Sequence, residues 1–224
     1  MELTFLTTTQ LFRGMEPQDI SAMLHCLRAR KQSFAKGQVI YQAGDCVTAM
    51  GMVLEGSVRI QRDDFWGNTS ILSTLQAGQM FAETYACVPH EPLMVSVVAE
   101  QPSTVLFLET PRMMRVCSNG CTFHQKLVEN LLMISAEKNL ALSRKISCTT
   151  AKTIRGRLLT YLSHQAQRQQ CASFQIPFNR QQLADYLNVE RSALSNELSK
   201  MQRDGLLQVE GKRFVLMVEP PDAL

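Results

Sequence analysis

Histidine and tryptophan are scarce in this 224-residue chain, which holds four of the former and one of the latter. The histidines do not cluster, so a metal-dependent enzyme has no ligand set to start from. No apolar run is long enough to span a bilayer. The opening Met1-Glu-Leu-Thr-Phe-Leu6 lacks a basic segment ahead of an apolar one, so no secretory leader is expected. The seven cysteines (26, 46, 87, 117, 121, 148, 171) are odd in number and widely spread. That excludes a fully paired disulfide framework and fits free thiols in a reducing bacterial cytoplasm. What remains is an ordinary globular composition, 45% apolar with a mean hydropathy of −0.08, enough for one large domain or two small ones.

Charge is distributed unevenly. Residues 1–147 carry 13 Lys/Arg and 13 Asp/Glu, whereas residues 148–224 carry 10 and 7, so the whole net charge of +3 lies in the last third. A basic C-terminal module beside a neutral N-terminal one fits a nucleic-acid-binding domain attached to something else.

Three zones follow from the hydrophobic pattern. After a short helix predicted over Pro17–Leu27, β-rich runs alternate with glycines from about Phe34 to Leu108. Strands are expected near 39–41, 52–54, 58–60, 71–75, 95–98 and 105–108, with tight turns at Glu55-Gly56 and Gly67-Asn68. Many short strands at regular spacing mean a small barrel or jelly roll. The second zone, about 123–144, is a helix with two apolar stripes. One is Phe123, Leu127, Leu131 and Ile134; the other is Val128, Leu132, Leu142 and Ile146. The double stripe is wider than one packing contact needs, so one flank is expected on the barrel and the other on a second copy of the chain. A wholly intramolecular core helix is the alternative. Cys148-Thr-Thr-Ala151 then interrupts the pattern and reads as a hinge.

The third zone opens with an amphipathic helix carrying Ile154, Leu158, Leu159, Tyr161 and Leu162, followed by a polar link over Gln165–Ser173. Next come two short helices joined at Asn188, a residue that tolerates the left-handed conformation a turn requires. The second of them buries Ala193, Leu194, Leu198 and Met201, while its other face is Arg191, Ser192, Ser195, Asn196 and Ser199. Short hydrogen-bonding side chains with one Arg suit base edges better than solvent. A final hairpin around Glu210-Gly211-Lys212 completes a winged helix-turn-helix, whose second helix enters the major groove. Arg191 is placed to take a guanine bidentately, and Asn196 to pair with adenine or bond a phosphate. Ser192 and Ser195 share that base-facing side. Arg180, Gln181, Lys200, Arg203, Lys212 and Arg213 are the expected phosphate contacts.

Several motifs in order over nearly the whole chain resemble the Crp–Fnr superfamily of bacterial transcription regulators. They are Phe34-Ala-Lys-Gly-Gln-Val-Ile-Tyr-Gln-Ala-Gly-Asp45, Val53-Leu-Glu-Gly-Ser-Val58, Leu75-Gln-Ala-Gly-Gln-Met-Phe-Ala-Glu83, the stretch Asn179–Leu198 and Gly205-Leu-Leu207. The resemblance implies an α+β chain: an N-terminal double-stranded β-helix (a jelly-roll-like β-roll), a long dimerisation helix and a C-terminal winged helix-turn-helix. The corresponding domains would be 1–120, 121–150 and 151–224. It also implies a homodimer on a palindromic promoter site in double-stranded DNA. Its interface would use Leu127, Val128, Leu131, Leu132, Ser135 and Leu142, and RNA polymerase is a further candidate partner. An effector would lie in the β-roll near the long helix, among Phe81, Ala82, Glu83, Thr84, Leu93, Met94, Leu142 and Ser143.

The departures narrow that implication. The cyclic-AMP branch holds the cyclic phosphate with an Arg followed by Ser or Thr; the matching positions here are Leu93 and Met94. Cyclic AMP is therefore not expected, and the effector is unnamed; a vestigial pocket with constitutive DNA binding is the alternative. The oxygen-sensing branch clusters N-terminal cysteines for an iron–sulfur site, and only Cys26 lies in that region. Arg191 aligns with a base-reading Arg of the family, but Ser192 replaces a Glu and Asn196 another Arg, so the family's best-known target sequence does not carry over. Cys117 and Cys121 have no partner pair or nearby His to complete a metal site. His90, in the Pro89–Pro92 loop, could ligate haem, as in some gas sensors of the superfamily; an exposed loop histidine is the simpler account. Glu55, Glu83 and Glu91 could serve a cupin-type enzyme only with a histidine cluster the sequence lacks. Met50, Met52, Met80 and Met94 read as adaptable core filler. Three functions stay open: a ligand-responsive DNA-binding regulator, which is preferred; a ligand module whose winged helix contacts protein; and a cupin-type enzyme. Neither a metal nor a catalytic residue is assigned.

Overall fold

The computed structural model describes residues 3–66, 68–114 and 122–217, so Gly67, Cys117 and Cys121 lie outside the described residues. The chain divides into two compact units, 1–136 and 137–224. Among the described residues no helix is long and apolar enough to cross a membrane.

The first unit contains helices α1 (Leu3–Thr7), α2 (Pro17–Cys26), α3 (Glu83–Cys87), α4 (Thr110–Met113) and the first half of α5 (Thr122–Thr150). Its strands are β1 (Arg30–Phe34), β2 (Val39–Tyr41), β3 (Ala49–Glu55), β4 (Ser57–Asp63), β5 (Thr69–Gln76), β6 (Met80–Phe81), β7 (Ser96–Ala99) and β8 (Ser103–Glu109). They form two four-stranded sheets, ordered β1-β8-β3-β6 and β2-β7-β4-β5, with every pair antiparallel. The jelly-roll expectation is met.

Strand β3 explains the architecture. Six of its residues in a row are buried, because its two faces serve different cores. Ala49 and Val53 join Phe34, Val58, Phe81, Val97, Val105 and Phe107, contributed by both sheets. Met50, Met52 and Leu54 point the other way, into a cluster with Leu6, Phe12, Ile20, Leu24 and Leu27 and with Leu127, Leu131 and Ile134 of α5. Met80 shares that cluster, so three of the four methionines read as filler are buried; Met94 is exposed.

Two glycines are required here. Gly56 makes the β3–β4 turn at φ +82°, with the Ser103 side chain and the Pro102 carbonyl where a Cβ would stand. Gly51 pairs with Phe81 across β3–β6, and a Cβ there would run into the Phe81 ring.

Several boundaries differ from expectation. Strand β1 went unread because Arg30-Lys31-Gln32-Ser33 is polar; it is an exposed edge of its sheet. The β4–β5 turn is longer than a Gly67-Asn68 pair, since the last paired residues are Asp63 and Thr69. Asp64 accepts from the backbone N–H groups of Trp66 and Asn68 at 2.9 and 2.8 Å and so braces the turn.

Helix α5 does not stop near Arg144. It continues to Thr150, and the hydroxyls of Thr149 and Thr150 donate back to the carbonyls of Lys145 and Ile146. The Cys148–Thr150 stretch is thus helical rather than a break, and Cys148 is buried in the core of the second unit. Along α5, Leu127, Leu131 and Ile134 are buried while Leu132, Met133, Leu140, Leu142 and Ile146 are exposed. The two stripes therefore have separate fates.

The second unit adds α6 (Ile154–Gln169), β9 (Ser173–Gln175), α7 (Arg180–Leu187), α8 (Arg191–Arg203), β10 (Leu207–Glu210) and β11 (Arg213–Leu216). Helix α6 absorbs residues 165–169 of the expected polar link, and Ala166 is buried. The sheet order is β10-β11-β9, with Leu207 opposite Leu216 and Glu210 opposite Arg213 across the wing turn.

Because the Phe81 ring lies over Gly51, Gly51→Ala is expected to cost about 1–3 kcal/mol by overpacking, read as a Tm lower by several degrees in thermal unfolding followed by circular dichroism. An unchanged Tm would mean that ring and strand do not meet.

Candidate nucleic-acid interface

Helix α7 starts with a capping box: the Asn179 side chain accepts from Gln182 N, and the Gln182 side chain accepts from Asn179 N, both at 2.9 Å. It ends at Asn188, left-handed at φ +53°. The turn is gripped from α6: the Arg157 guanidinium donates through Nη1 to the Leu187 and Asn188 carbonyls at 3.0 and 2.9 Å and through Nε to the Ala151 carbonyl at 2.9 Å.

Helix α8 buries Leu194, Leu198 and Met201 in a core with Leu158, Leu162, Leu183, Leu187 and Phe214. Ala193 is half-buried. With that stripe fixed, Arg191, Ser192, Asn196, Ser199, Lys200 and Arg203 are exposed and Ser195 is half-buried. The hydroxyls are parked on nearby acceptors: Ser195 on the Arg191 carbonyl at 3.0 Å, Ser199 on the Ser195 carbonyl at 3.1 Å and Ser192 on Glu190 Oε1 at 3.4 Å. Such local bonds are replaced by rotating one χ1. All four residues expected at base edges thus share one outward side of a single helix.

The six residues expected at phosphates are more varied. Lys200 and Arg203 lie on the last turns of α8, with Arg203 Nε donating to the Ser199 carbonyl at 3.4 Å. Gln181 donates to Asp185 at 2.8 Å. Arg180 lies over the Phe214 ring at 5.4 Å, and its burial lowers the guanidinium pKa from the ordinary Arg value. Lys212 donates to the Pro177 carbonyl at 2.9 Å, and Arg213 donates to Ser173 Oγ at 3.2 and 3.1 Å. The wing cations are therefore held in place by neutral partners, and among the described residues neither is seen in an ion pair.

Sequence reasoning missed the ion pairs behind α8. Arg155 on α6 bridges Glu197 (Nε–Oε1 2.6 Å) and Asp204 (Nη2–Oδ2 2.7 Å). The bond to Glu197 first, then that to Asp204, raises the Arg155 pKa. No short-range pattern joins residue 155 to 197, so the sequence carries no signal for it.

In the first unit, Phe81, Ala82, Glu83 and Thr84 follow one another at the start of α3, with Ala82 left-handed at φ +59°. Phe81 is buried among edge-on rings, 6.0 Å from Tyr41 and 6.5 Å from Phe107. Burial pushes the Tyr41 pKa up to about 12, and its hydroxyl donates to the Ala49 carbonyl. Leu93 is buried, with its backbone bonded to Gly44 and Asp45. Met94 and Thr84 are exposed, and so are Leu142 and Ser143, which belong to the second unit. Leu93, apolar and buried, offers no charge to a ligand. His90 is an exposed loop residue at φ +65°. Among the described residues no three His, Cys, Asp or Glu gather as a metal site, and Cys46, Cys87, Cys148 and Cys171 are free thiols.

Comparison with known proteins follows the same division. The cyclic nucleotide-binding domain family matches residues 31–119, and the Crp-like helix-turn-helix domain family matches residues 156–224. The anaerobic regulatory protein of Pasteurella multocida is 24% identical over 204 residues, covering 84% of this chain and 68% of that protein. The transcriptional activator protein FnrL of Cereibacter sphaeroides is 36% identical over 47 residues, which span 21% of this chain and only 19% of that protein's length. The crystal structure of the Thermus thermophilus catabolite activator protein shares the fold, with a TM-score of 0.50, 21% identity and 93% of each chain covered.

Replacing Arg191 by Ala is expected to cost about 1–3 kcal/mol at the cognate duplex and to relax the preference at one base position. Lys212→Ala should instead weaken all duplexes alike and reduce the salt dependence. Competition titrations with single-base variants check both, and an Arg191→Ala protein with its sequence preference intact would contradict the placement of α8.

Proposed function

We propose that this chain, which belongs to the Crp–Fnr superfamily of bacterial transcription regulators, works as a cytoplasmic homodimer. Each copy reads half of a palindromic promoter site, and the β-roll answers to a small effector other than cyclic AMP. The observation that carries the DNA-reading part is α8: a buried apolar stripe turns Arg191, Ser192, Ser195 and Asn196 outward together. Winged helix-turn-helix modules place such a helix in the major groove with its N-terminal residues on base edges. The basic wing and Lys200 supply the surrounding positive charge that phosphates attract. The role is binding rather than catalysis, and RNA polymerase is the further partner an activator would engage.

Dimerisation is supported by the flank of α5 that the first unit leaves uncovered. Leu127 and Leu131 belong to that unit's core, so the seam falls to the other flank. Val128, half-buried at the edge of that core, is followed by Leu132, Ser135, Asn139, Leu142 and Ile146 at alternating spacings of four and three. That is the repeat of a two-stranded coiled coil, in which a few polar positions fix register at some loss of stability.

The effector proposal rests on charge. A cyclic phosphate is a permanent anion, and burying it without a cation costs several kcal/mol. Where the family has an Arg this chain has a buried Leu93. An apolar or weakly polar effector suits Phe81 and Leu93 better.

Two outcomes check these proposals. Sedimentation at micromolar concentration should give a dimer for the natural chain and monomers with poor specific DNA binding for Leu132→Glu or Leu142→Glu; a monomeric natural chain would refute the seam. Calorimetry should detect no sub-millimolar binding of cyclic AMP, and binding in that range would overturn the effector proposal.

A further inference from the structure

We propose that Arg155 is a positioning residue for base reading: through Glu197 and Asp204 it sets the rotation of α8 and hence which side chains face the groove. The inference rests on the DNA-reading role of α8 and adds the device that aims it.

The geometry is specific. Glu197 lies on α8, next in sequence to the base-facing Asn196, and Asp204 is the residue that ends the helix. They are seven positions apart, close to two turns, so both side chains leave α8 on the same side from backbone positions about 10 Å apart along its axis and converge on one point. One guanidinium meets them through Nε and Nη2 at 2.6 and 2.7 Å. Turning α8 by one residue, about 100°, would take both carboxylates away from the fork. Tilting it would break one contact and keep the other. Two anchors along the axis therefore constrain roll and tilt together.

The apolar stripe alone is a weaker constraint on angle. Leu194, Leu198 and Met201 exclude water over a range of small rotations, because burial depends on area rather than direction. Charge-assisted hydrogen bonds are directional and short. Direct readout needs that precision, since a bidentate contact from Arg191 to a guanine is lost when its Cα is displaced by about an ångström. Lysine cannot replace the fork: a point ammonium on a flexible stem does not present two fixed donor edges. Glu197 has the lower side-chain exposure of the two carboxylates, at 18% against 48% for Asp204, so it is the stronger anchor.

The test uses the full chain and a duplex that the natural protein selects from a randomised library. Affinity is then measured for that duplex, for single-base variants at the position that depends on Arg191, and for an unrelated duplex at low salt. For Arg155→Lys the expected result is at least a tenfold loss of discrimination between the selected duplex and those variants. Its affinity for the unrelated duplex, its salt dependence and its Tm should stay close to those of the natural chain. Glu197→Gln, which keeps an acceptor but removes the charge, should lose discrimination in the same direction. If specific and unrelated binding fall together with Tm, Arg155 is merely structural and the proposal is overturned. Unchanged discrimination in both variants overturns it as well. A natural chain that selects no duplex would instead remove the DNA-reading role beneath it, an outcome visible before any variant is made.

Discussion

The interaction on which the second unit depends is the burial of one narrow stripe. Leu194, Leu198 and Met201 are fully or nearly fully buried, and burying each such side chain contributes about 1.5–3 kcal/mol. A single surface hydrogen bond contributes about 1 kcal/mol, so no arrangement of the polar residues of α8 can compete for the inward face. The serines, Asn196 and Arg191 are outward because the alternative is too unfavourable. The wing and the capped α7 then surround that face, and the arginines of α6 hold the turn and the back of α8. Recognition chemistry here is a consequence of core packing, refined by ionic geometry.

The β-roll follows a different rule. Its strands enclose aromatic rings packed edge to face, with Phe107 touching Phe34, Tyr41 and Phe81. In the proposed reading the apolar, buried Leu93 takes the place of the family's Arg. A chain can keep the roll, whose stability comes from such contacts, while changing what the roll recognises, because the fold does not depend on the phosphate-binding residues. The match to the cyclic nucleotide-binding domain family and the absence of that Arg at position 93 are therefore compatible.

Much of this was legible in the sequence, and the exceptions have physical causes. Alternation of Val58 and Ile60 after Gly56 identifies β4 because one of its faces is committed to a core, whereas β8 shows as a continuous apolar run because both of its faces are buried. Strand β1 is an edge whose Arg30–Ser33 face solvent, so it has no apolar period to detect. Helix α5 outlasts its apolar pattern because Thr149 and Thr150 bond back to its own carbonyls and Cys148 finds a second core. Its two stripes were legible as two surfaces, but Leu127 and Leu131, expected at the dimer interface, are buried in the first unit's own core. The polar face of α8 was legible in full because helix periodicity decides it. The Arg155–Glu197–Asp204 bridge was not, since charge pairing across forty residues leaves no local trace.

The central claim is that α8 reads bases from the major groove, one copy per half-site. Methylation interference on the selected duplex measures it directly, because guanine N7 lies in the major groove and adenine N3 in the minor groove. The account predicts that N7 methylation blocks binding at guanines in two symmetric half-sites about one helical turn apart, while N3 methylation within those half-sites has little effect. Interference confined to the minor groove, or to a single unpaired half-site, would contradict it.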